Sequence, residues 1–216
     1  MVDERRRETT GFMIAAVVVA VAAAGYFMWR EHVQSRAHAL LADALAVQEA
    51  RIAVPGTPAA PGTYPTERAR LEAAIAKFKA AADGYPSTDA GIFARYQEAA
   101  DQLVLGNPAA AVTAYQEVIR RAGDTIHGQM ARLGLAVAQA RAGQYDQAIN
   151  AFKELAQRKD GPLPVDGILM ELGRTYREAG KRADAQQTFN RLVAEYPDSP
   201  FTQEAKRELD TLNKAA

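Results

Sequence analysis

One pattern recurs four times along this chain and limits what the chain can fold into. An aromatic ring stands at Phe78, Tyr115, Phe152 and Phe189, at equal intervals of 37 residues. An alanine precedes each ring by four positions, and a small or aliphatic residue follows each ring by three. Since positions i, i+4 and i+7 share one face of an α-helix, each copy predicts a helix that packs against a partner helix.

The partner helix is predicted in front of each of the last three rings. An alanine-rich amphipathic segment there ends at a glycine, at Gly106, Gly143 and Gly180. The best copy, DGILMELGRTYREAGKRADAQQTFNRLVAEYPDS, has leucine, glycine, aromatic, alanine and proline residues at the offsets of a tetratricopeptide repeat (TPR). We therefore predict an all-α chain that forms a TPR-type solenoid of helical hairpins. The alternative is an ordinary helical bundle in which the spacing is accidental.

Composition and motifs argue against several classes of function. The formal net charge is +0, whereas chains that bind nucleic acid usually have a basic excess. Cysteine is absent from the sequence, which excludes disulfides and thiolate metal sites. The histidines His32, His38 and His127 lack metal-ligand spacing, and no phosphate loop or nucleophile motif is present. We expect no enzyme activity, no catalytic residue, no cofactor, no metal and no nucleic-acid partner.

The N-terminal segment predicts a membrane anchor. The chain runs without charge from Gly11 to Trp29, and a helix of that length spans roughly 28 Å, close to the hydrocarbon core of a bilayer. We interpret residues 1–10 as a cytoplasmic tail and residues 11–29 as a transmembrane helix, because arginines are more frequent before the span than just after it. The alternative is a cleavable signal peptide with AVAAA as its cleavage region.

A neck helix is predicted over residues 30–53, and its apolar face needs cover. In one interpretation it supplies the missing first helix of the first hairpin, with Leu41, Ala44 and Leu45 facing the second helix. In the other, residues 33–47 form a short coiled coil with a second copy, because their apolar positions also fit a heptad pattern.

A repeat domain is predicted over residues 67–216. The Pro/Gly-rich stretch at residues 54–66 separates it from the neck as a loop, because proline cannot continue a helix. The C-terminal helix is apolar on one face and charged on the other, as expected of a solenoid cap. The repeat units and the cap are predicted at about residues 92–125, 129–162, 166–199 and 200–214.

The predicted binding surface is the groove that the first helices of successive repeats line in TPR arrays. Matching those positions one by one predicts the groove residues Phe93, Tyr96, Met130, Leu133, Val137, Arg141, Met170, Arg174 and Arg177. Such a groove is apolar at one end and basic at the other, which suits a peptide segment of acidic character. The alternative is that several of these side chains pack against neighbouring helices instead.

A family resemblance follows from the tail, the single span, the neck and degenerate repeats such as YDQAINAF. The chain resembles the bacterial family that contains the ancillary Sec-translocon subunit and the repeat domain of the cell-division coordinator. The resemblance implies a single-pass inner-membrane protein whose periplasmic repeats bind proteins, including the translocon or a periplasmic chaperone. Two further hypotheses are an adaptor in cell-envelope assembly or cell division, and a cytoplasm-facing scaffold of a signalling or secretion complex.

Overall fold

The computed structural model describes residues 2–54, 60–158 and 161–214. Within these ranges, side chains are described for Met13 and from Val17 onward. These residues form nine α-helices and no strand, apart from one isolated bridge between Ile52 and Tyr64. The predicted all-α fold is confirmed. The helices are α1 (Val2–Gln48), α2 (Glu67–Gly84), α3 (Asp89–Val104), α4 (Pro108–Ala122), α5 (Ile126–Arg141), α6 (Tyr145–Gln157), α7 (Val165–Glu178), α8 (Arg182–Glu195) and α9 (Thr202–Lys214).

The helices pack in chain order as a solenoid of hairpins. Each helix contacts the next one along the chain, and the first helices of successive hairpins, α1, α3, α5 and α7, also contact one another in sequence. We call the surface formed by these first helices the A-helix face. Because each hairpin contacts only its neighbours, the stack has a series of seams and no single central core.

The four aromatic rings of the repeat lie in these seams. Phe78, Phe152 and Phe189 are 0% exposed, and Tyr115 is 3% exposed. The alanine four positions before each ring is also fully buried. The 37-residue pattern therefore marks the buried face of every second helix, as the sequence predicts.

Helix α1 supplies the first helix of the first hairpin. Leu41, Ala44 and Leu45 pack in one apolar cluster with Ala74 and Phe78 of α2, which confirms the first interpretation of the neck. The helix ends at Gln48, five residues before the predicted end, because the chain turns there into the Pro/Gly-rich segment. Within that segment, residues 55–59 lie outside the described part of the chain.

Burial argues against the coiled-coil interpretation. Ala37 and Ala44, two of its apolar positions within residues 33–47, are 1% and 0% exposed. Lys77 of α2 also forms an ion pair with Asp43, 2.6 Å apart, beside the same stretch. The inner face of this stretch already packs against α2, so it is not available to a second copy.

The predictions for the N-terminal segment concern helix α1, which is one continuous helix through the predicted boundaries at residues 10 and 29. No helix in the described residues has a stretch that is both long and apolar enough to span a bilayer. The predicted transmembrane helix at residues 11–29 is therefore not confirmed. The side chains of residues 1–12 and 14–16, including the whole predicted tail, lie outside the described part.

Helix α9 ends the stack. Ala205 and Leu212 are buried, and Phe201 and Leu209 pack against the same apolar cluster as α7 and α8. The opposite side of α9 is charged, with Lys206, Arg207 and Asp210 exposed. The amphipathic C-terminal segment is thus the predicted capping helix.

Candidate partner-binding groove

Three rings at the start of α3 and α5 form the aromatic part of the A-helix face. Phe93 and Tyr96, one turn apart on α3, are stacked with ring centroids 6.3 Å apart and planes at 14°. His127 of α5 meets Phe93 edge-on, with centroids 5.7 Å apart. We call Phe93, Tyr96 and His127 the aromatic platform; each is only half-buried.

The aromatic platform packs against the core through Tyr96. Tyr96 meets Tyr115 of α4 edge-on, with centroids 5.6 Å apart, and it packs against the apolar cluster between α3, α4 and α5. Phe93 belongs to no apolar cluster of the described residues. Ring pairs of this geometry add attraction beyond simple burial. Phe93 therefore contacts two neighbouring rings while part of its side chain stays exposed.

The predicted residues of α5 divide into two kinds. Leu133 and Val137 are partly buried because they pack against the apolar cluster that extends from α5 to α9, so the packing alternative applies to part of each side chain. Met130 is half-buried and belongs to none of the described clusters. It extends the apolar surface beside the platform, and its flexible thioether side chain can adapt to different ligand shapes.

Met170 does not line the groove. Its side chain is 0% exposed and lies in the cluster between α5 and α9, so the prediction for this residue is wrong. Helix α7 has buried residues around most of its circumference, because helices on both sides of it and the cap cover it. A position that is open on α5 is therefore closed on α7.

The basic end predicted from Arg174 and Arg177 is neutralised by the cap. Arg174 donates to Glu204 of α9 and to Glu171 of its own helix, both at 2.5 Å. Arg177 donates to Glu208 of α9, also at 2.5 Å. Both arginines are on the A-helix face, as predicted, but each already has a carboxylate partner. A strongly basic end of the groove is therefore a wrong expectation.

Arg141 differs from these two arginines. It is exposed at the last turn of α5, and in the parts of the chain that the structure describes no carboxylate lies within ion-pair distance of it. An exposed guanidinium of this kind is fully charged and has five donors to offer a ligand. Arg141 is therefore a cation of the groove that a partner can use.

Hydrogen bonds between buried polar side chains connect α3 to α1 beside the groove, and the sequence analysis did not predict them. Gln48 of α1 donates to Asp101 of α3 at 2.8 Å, and Gln97 donates to Gln48 at 3.3 Å. Asp101 is 4% exposed, and its second oxygen lacks a hydrogen-bond partner among the described residues. Burial raises the pKa of Asp101, and the hydrogen bond from Gln48 opposes that rise. The signal that could have predicted this contact was a carboxylate within a helix stripe of small and apolar residues.

A second buried charge cluster lies in the seam of α2, α3 and α4. Arg95, 8% exposed, forms ion pairs with Glu98 at 2.5 Å, with Glu117 at 3.0 Å and with Asp83. Hydrogen bonds from Lys79 and from Arg95 lower the pKa of Asp83, whereas burial raises the pKa of Glu98. Each charge in the seam has an opposite charge beside it, so the cluster joins the first two hairpins.

The architecture defines a class of protein: a helical-repeat scaffold whose hairpins stack and leave part of the face formed by their first helices open. The sequence profile of the family described as "Tetratricopeptide repeat-like domain" matches residues 7–214, and the chain belongs to this family.

Solved structures agree with the fold. Two crystal structures of nearly identical TPR-like repeats, assigned to a kinesin light chain of Podosopora anserina, superpose with TM-scores of 0.64 and 0.63 at 14% identity. Each match covers 84% of this chain and 87% of the other. At this identity the similarity establishes the fold alone. No curated protein sequence matches the chain.

Proposed function

We propose that this protein is a scaffold that binds protein partners through the A-helix face of α3 and α5, and that its role is binding and not catalysis. The observation that carries the proposal is the aromatic platform, whose rings are held by stacking yet remain half-exposed beside Met130. Aromatic side chains dominate binding energy at protein interfaces. A ring that is already fixed loses little conformational entropy when a partner docks. Membership of a TPR-like family supports the same role.

Site-specific photocrosslinking tests this proposal. A photoreactive phenylalanine analogue is placed at Phe93 of the full chain in its native cells, and at exposed Gln116 on α4 as a matched control. Crosslinked products are then identified by mass spectrometry. We expect a distinct protein adduct at Phe93 that is absent at Gln116. Identical adducts at the two positions would reject the A-helix face as the binding surface.

We further propose that α1 attaches the scaffold to a membrane through residues 11–29. Support comes from the uncharged run between Gly11 and Trp29 and from the exposed apolar side chains of Val17, Val21 and Phe27. Exposed apolar surface of this kind calls for cover by lipid or protein. A signal peptide remains the alternative, and a mature N-terminus near Ala23 would favour it.

Alkaline extraction of membranes tests the anchor. The full chain should stay in the membrane pellet, whereas Val17→Lys combined with Val21→Lys should release it, because a charge inside the hydrocarbon core costs about 2.5 to 3.5 kcal/mol. The control is Ser35→Lys, further along the same helix. Extraction of the unmodified chain into the soluble fraction would contradict the anchor.

The location of the repeats is also a proposal. The arginine-rich start of the chain favours a cytoplasmic N-terminus and periplasmic repeats at a bacterial inner membrane. Because the sequence has no cysteine, a Lys214→Cys chain can be labelled at one position only. Labelling by an impermeant reagent in intact spheroplasts supports a periplasmic location. If the Lys214→Cys chain is labelled only after the membrane is opened, the result would support the cytoplasm-facing scaffold instead.

The partner class follows from the family resemblance. A translocon component or periplasmic chaperone is the partner that we propose, and an adaptor of envelope assembly or cell division is the alternative. The adduct at Phe93 distinguishes them, since the identity of the crosslinked protein is the readout.

A further inference from the structure

The charges on the A-helix face are distributed unevenly. Arg174 and Arg177 each have a carboxylate of the capping helix as partner, so they offer little to an incoming anion. Arg141 is exposed and lacks an ion-pair partner in the described parts of the chain. Any carboxylate of a partner that enters the groove therefore gains most beside Arg141.

The apolar surface lies at the other end of the same helix. Met130 and Arg141 are eleven residues apart on α5. Eleven residues make about three helical turns, so the two side chains point to the same face and are separated by about 16 Å along the axis. Between them lies Val137, which is half-buried and apolar. Among the described residues, the groove on α5 therefore has an apolar end, a neutral middle and, at Arg141, a cation without an ion-pair partner.

We propose that the occupant of this groove is a partner segment with one large apolar or aromatic side chain and one carboxylate about 16 Å from it. The apolar side chain contacts Phe93 and Met130, and the carboxylate pairs with Arg141. In an extended segment side chains alternate between faces, so the two groups must be an even number of residues apart, about four or six at about 3.3 Å per residue. In a helical segment it corresponds to about eleven residues, which again places both groups on one face.

The same distribution of charge distinguishes this occupant from a generally acidic peptide. A second carboxylate further toward α7 meets Glu171, Glu204 and Glu208 around arginines that are already neutralised. Extra acidic residues at that end are therefore expected to add no affinity. The inference rests on the proposed function, because it specifies the chemistry of the same groove.

Peptide selection tests the inference. A phage library of random 16-residue peptides is selected on the full chain, and binders are compared on Arg141→Glu and on Arg120→Glu, an exposed arginine of α4 that serves as control. We expect binders with an acidic residue about four or six residues from an apolar one if they are extended, or about eleven residues from it if they are helical. Arg141→Glu should weaken the binding of these peptides by about tenfold, because it turns attraction into repulsion. A library selected on this variant should yield peptides with a basic residue in place of the acidic one. Arg120→Glu should leave the affinity of the original binders unchanged.

The outcomes separate the inference from the proposed function. Binders that are lost on Phe93→Ala but ignore Arg141→Glu would overturn the inference and leave the binding face intact. Binders that are indifferent to both substitutions would overturn the proposed function as well. Equal weakening by Arg141→Glu and Arg120→Glu would reduce the effect to overall charge and also overturn the inference.

Discussion

Gly173 of α7 lies directly against the ring of Phe189 of α8, and a β-carbon on Gly173 would be 2.4 Å from the ring atom Cε1. The ring is 0% exposed, so other atoms of the protein surround it. A matching contact joins Gly134 of α5 to the ring of Tyr115, where a β-carbon would be 2.4 Å from Cζ. Close approach of a glycine to a repeat ring thus recurs in two seams of the stack.

The first prediction concerns this contact. Gly173→Ala should destabilise the chain by about 1 to 3 kcal/mol, as overpacking of a core does, even though alanine is the better helix former. Urea unfolding followed by circular dichroism measures the change. Gly84→Ala is the matched control, because nothing lies within 4 Å of the β-carbon there. Equal effects at the two glycines would contradict the close packing of Phe189.

The second prediction concerns the buried charge cluster around Arg95. Arg95→Met should cost about 3 to 5 kcal/mol, because it leaves buried Glu98 without its cation. Arg68→Met, which removes an exposed ion pair to Glu72, should cost less than about 1 kcal/mol. Thermal unfolding of both variants measures the contrast. A similar loss for the two would mean that solvent reaches the Arg95 cluster.

The third prediction is a pH dependence at Asp101. Burial raises the pKa of Asp101 above its ordinary value of 3.8, so the folded chain holds this proton more tightly than the unfolded chain does. The contribution of Asp101 to the free energy of unfolding therefore falls as pH rises from about 3.8 through the raised pKa.

Asp101→Asn removes this dependence while it keeps an oxygen for Gln48. The free energy of unfolding of the variant, minus that of the unmodified chain, should increase with pH over that interval. Urea unfolding at a series of pH values measures this difference. A difference that is flat or decreases with pH would show that Asp101 is not buried as described.

The fourth prediction concerns the capping helix. Glu204→Gln with Glu208→Gln removes the α9 partners of Arg174 and Arg177. Among the described residues, each arginine then keeps only a carboxylate of its own helix, Glu171 or Glu178, and has more of its charge available to a ligand. A groove-binding peptide with a second carboxylate toward α7 should then bind more tightly, by about fivefold at low salt, and the gain should fade as salt is raised. Fluorescence anisotropy measures the affinity. Lys206→Gln with Arg207→Gln is the control on the exposed side of α9, and it should not tighten binding.

The fold could be predicted from the sequence because helical periodicity is a local signal. The four rings lie in helix seams as their spacing predicts, and Leu41, Ala44 and Leu45 pack on the first of them. Thr66 caps α2 by accepting a hydrogen bond from Ala69 at 3.1 Å, as residues of this type do at helix starts. The ring stripes and the cap each depend on residues within a few turns of one another. The packing of α1 on α2 joins two helices whose apolar faces are each predicted from such a local pattern.

The binding surface could be predicted only in part because exposure depends on distant residues. Position along a helix places Met170 and Arg174 on the A-helix face. It does not reveal that α7 is enclosed on both sides or that Glu204, thirty residues further on, reaches Arg174. Asp101 was missed for the same reason, since its partner Gln48 lies 53 residues away. Such contacts depend on how each hairpin is rotated on the next.

The most direct measurement is the affinity of the protein that crosslinks at Phe93 for three full-length chains: unmodified, Phe93→Ala and Gln116→Ala. Truncation of a central aromatic contact typically costs 2 kcal/mol or more, about thirtyfold in Kd. Binding through the A-helix face predicts that Phe93→Ala lowers the affinity at least about tenfold and that Gln116→Ala leaves it unchanged. Equal affinities of all three chains would contradict it.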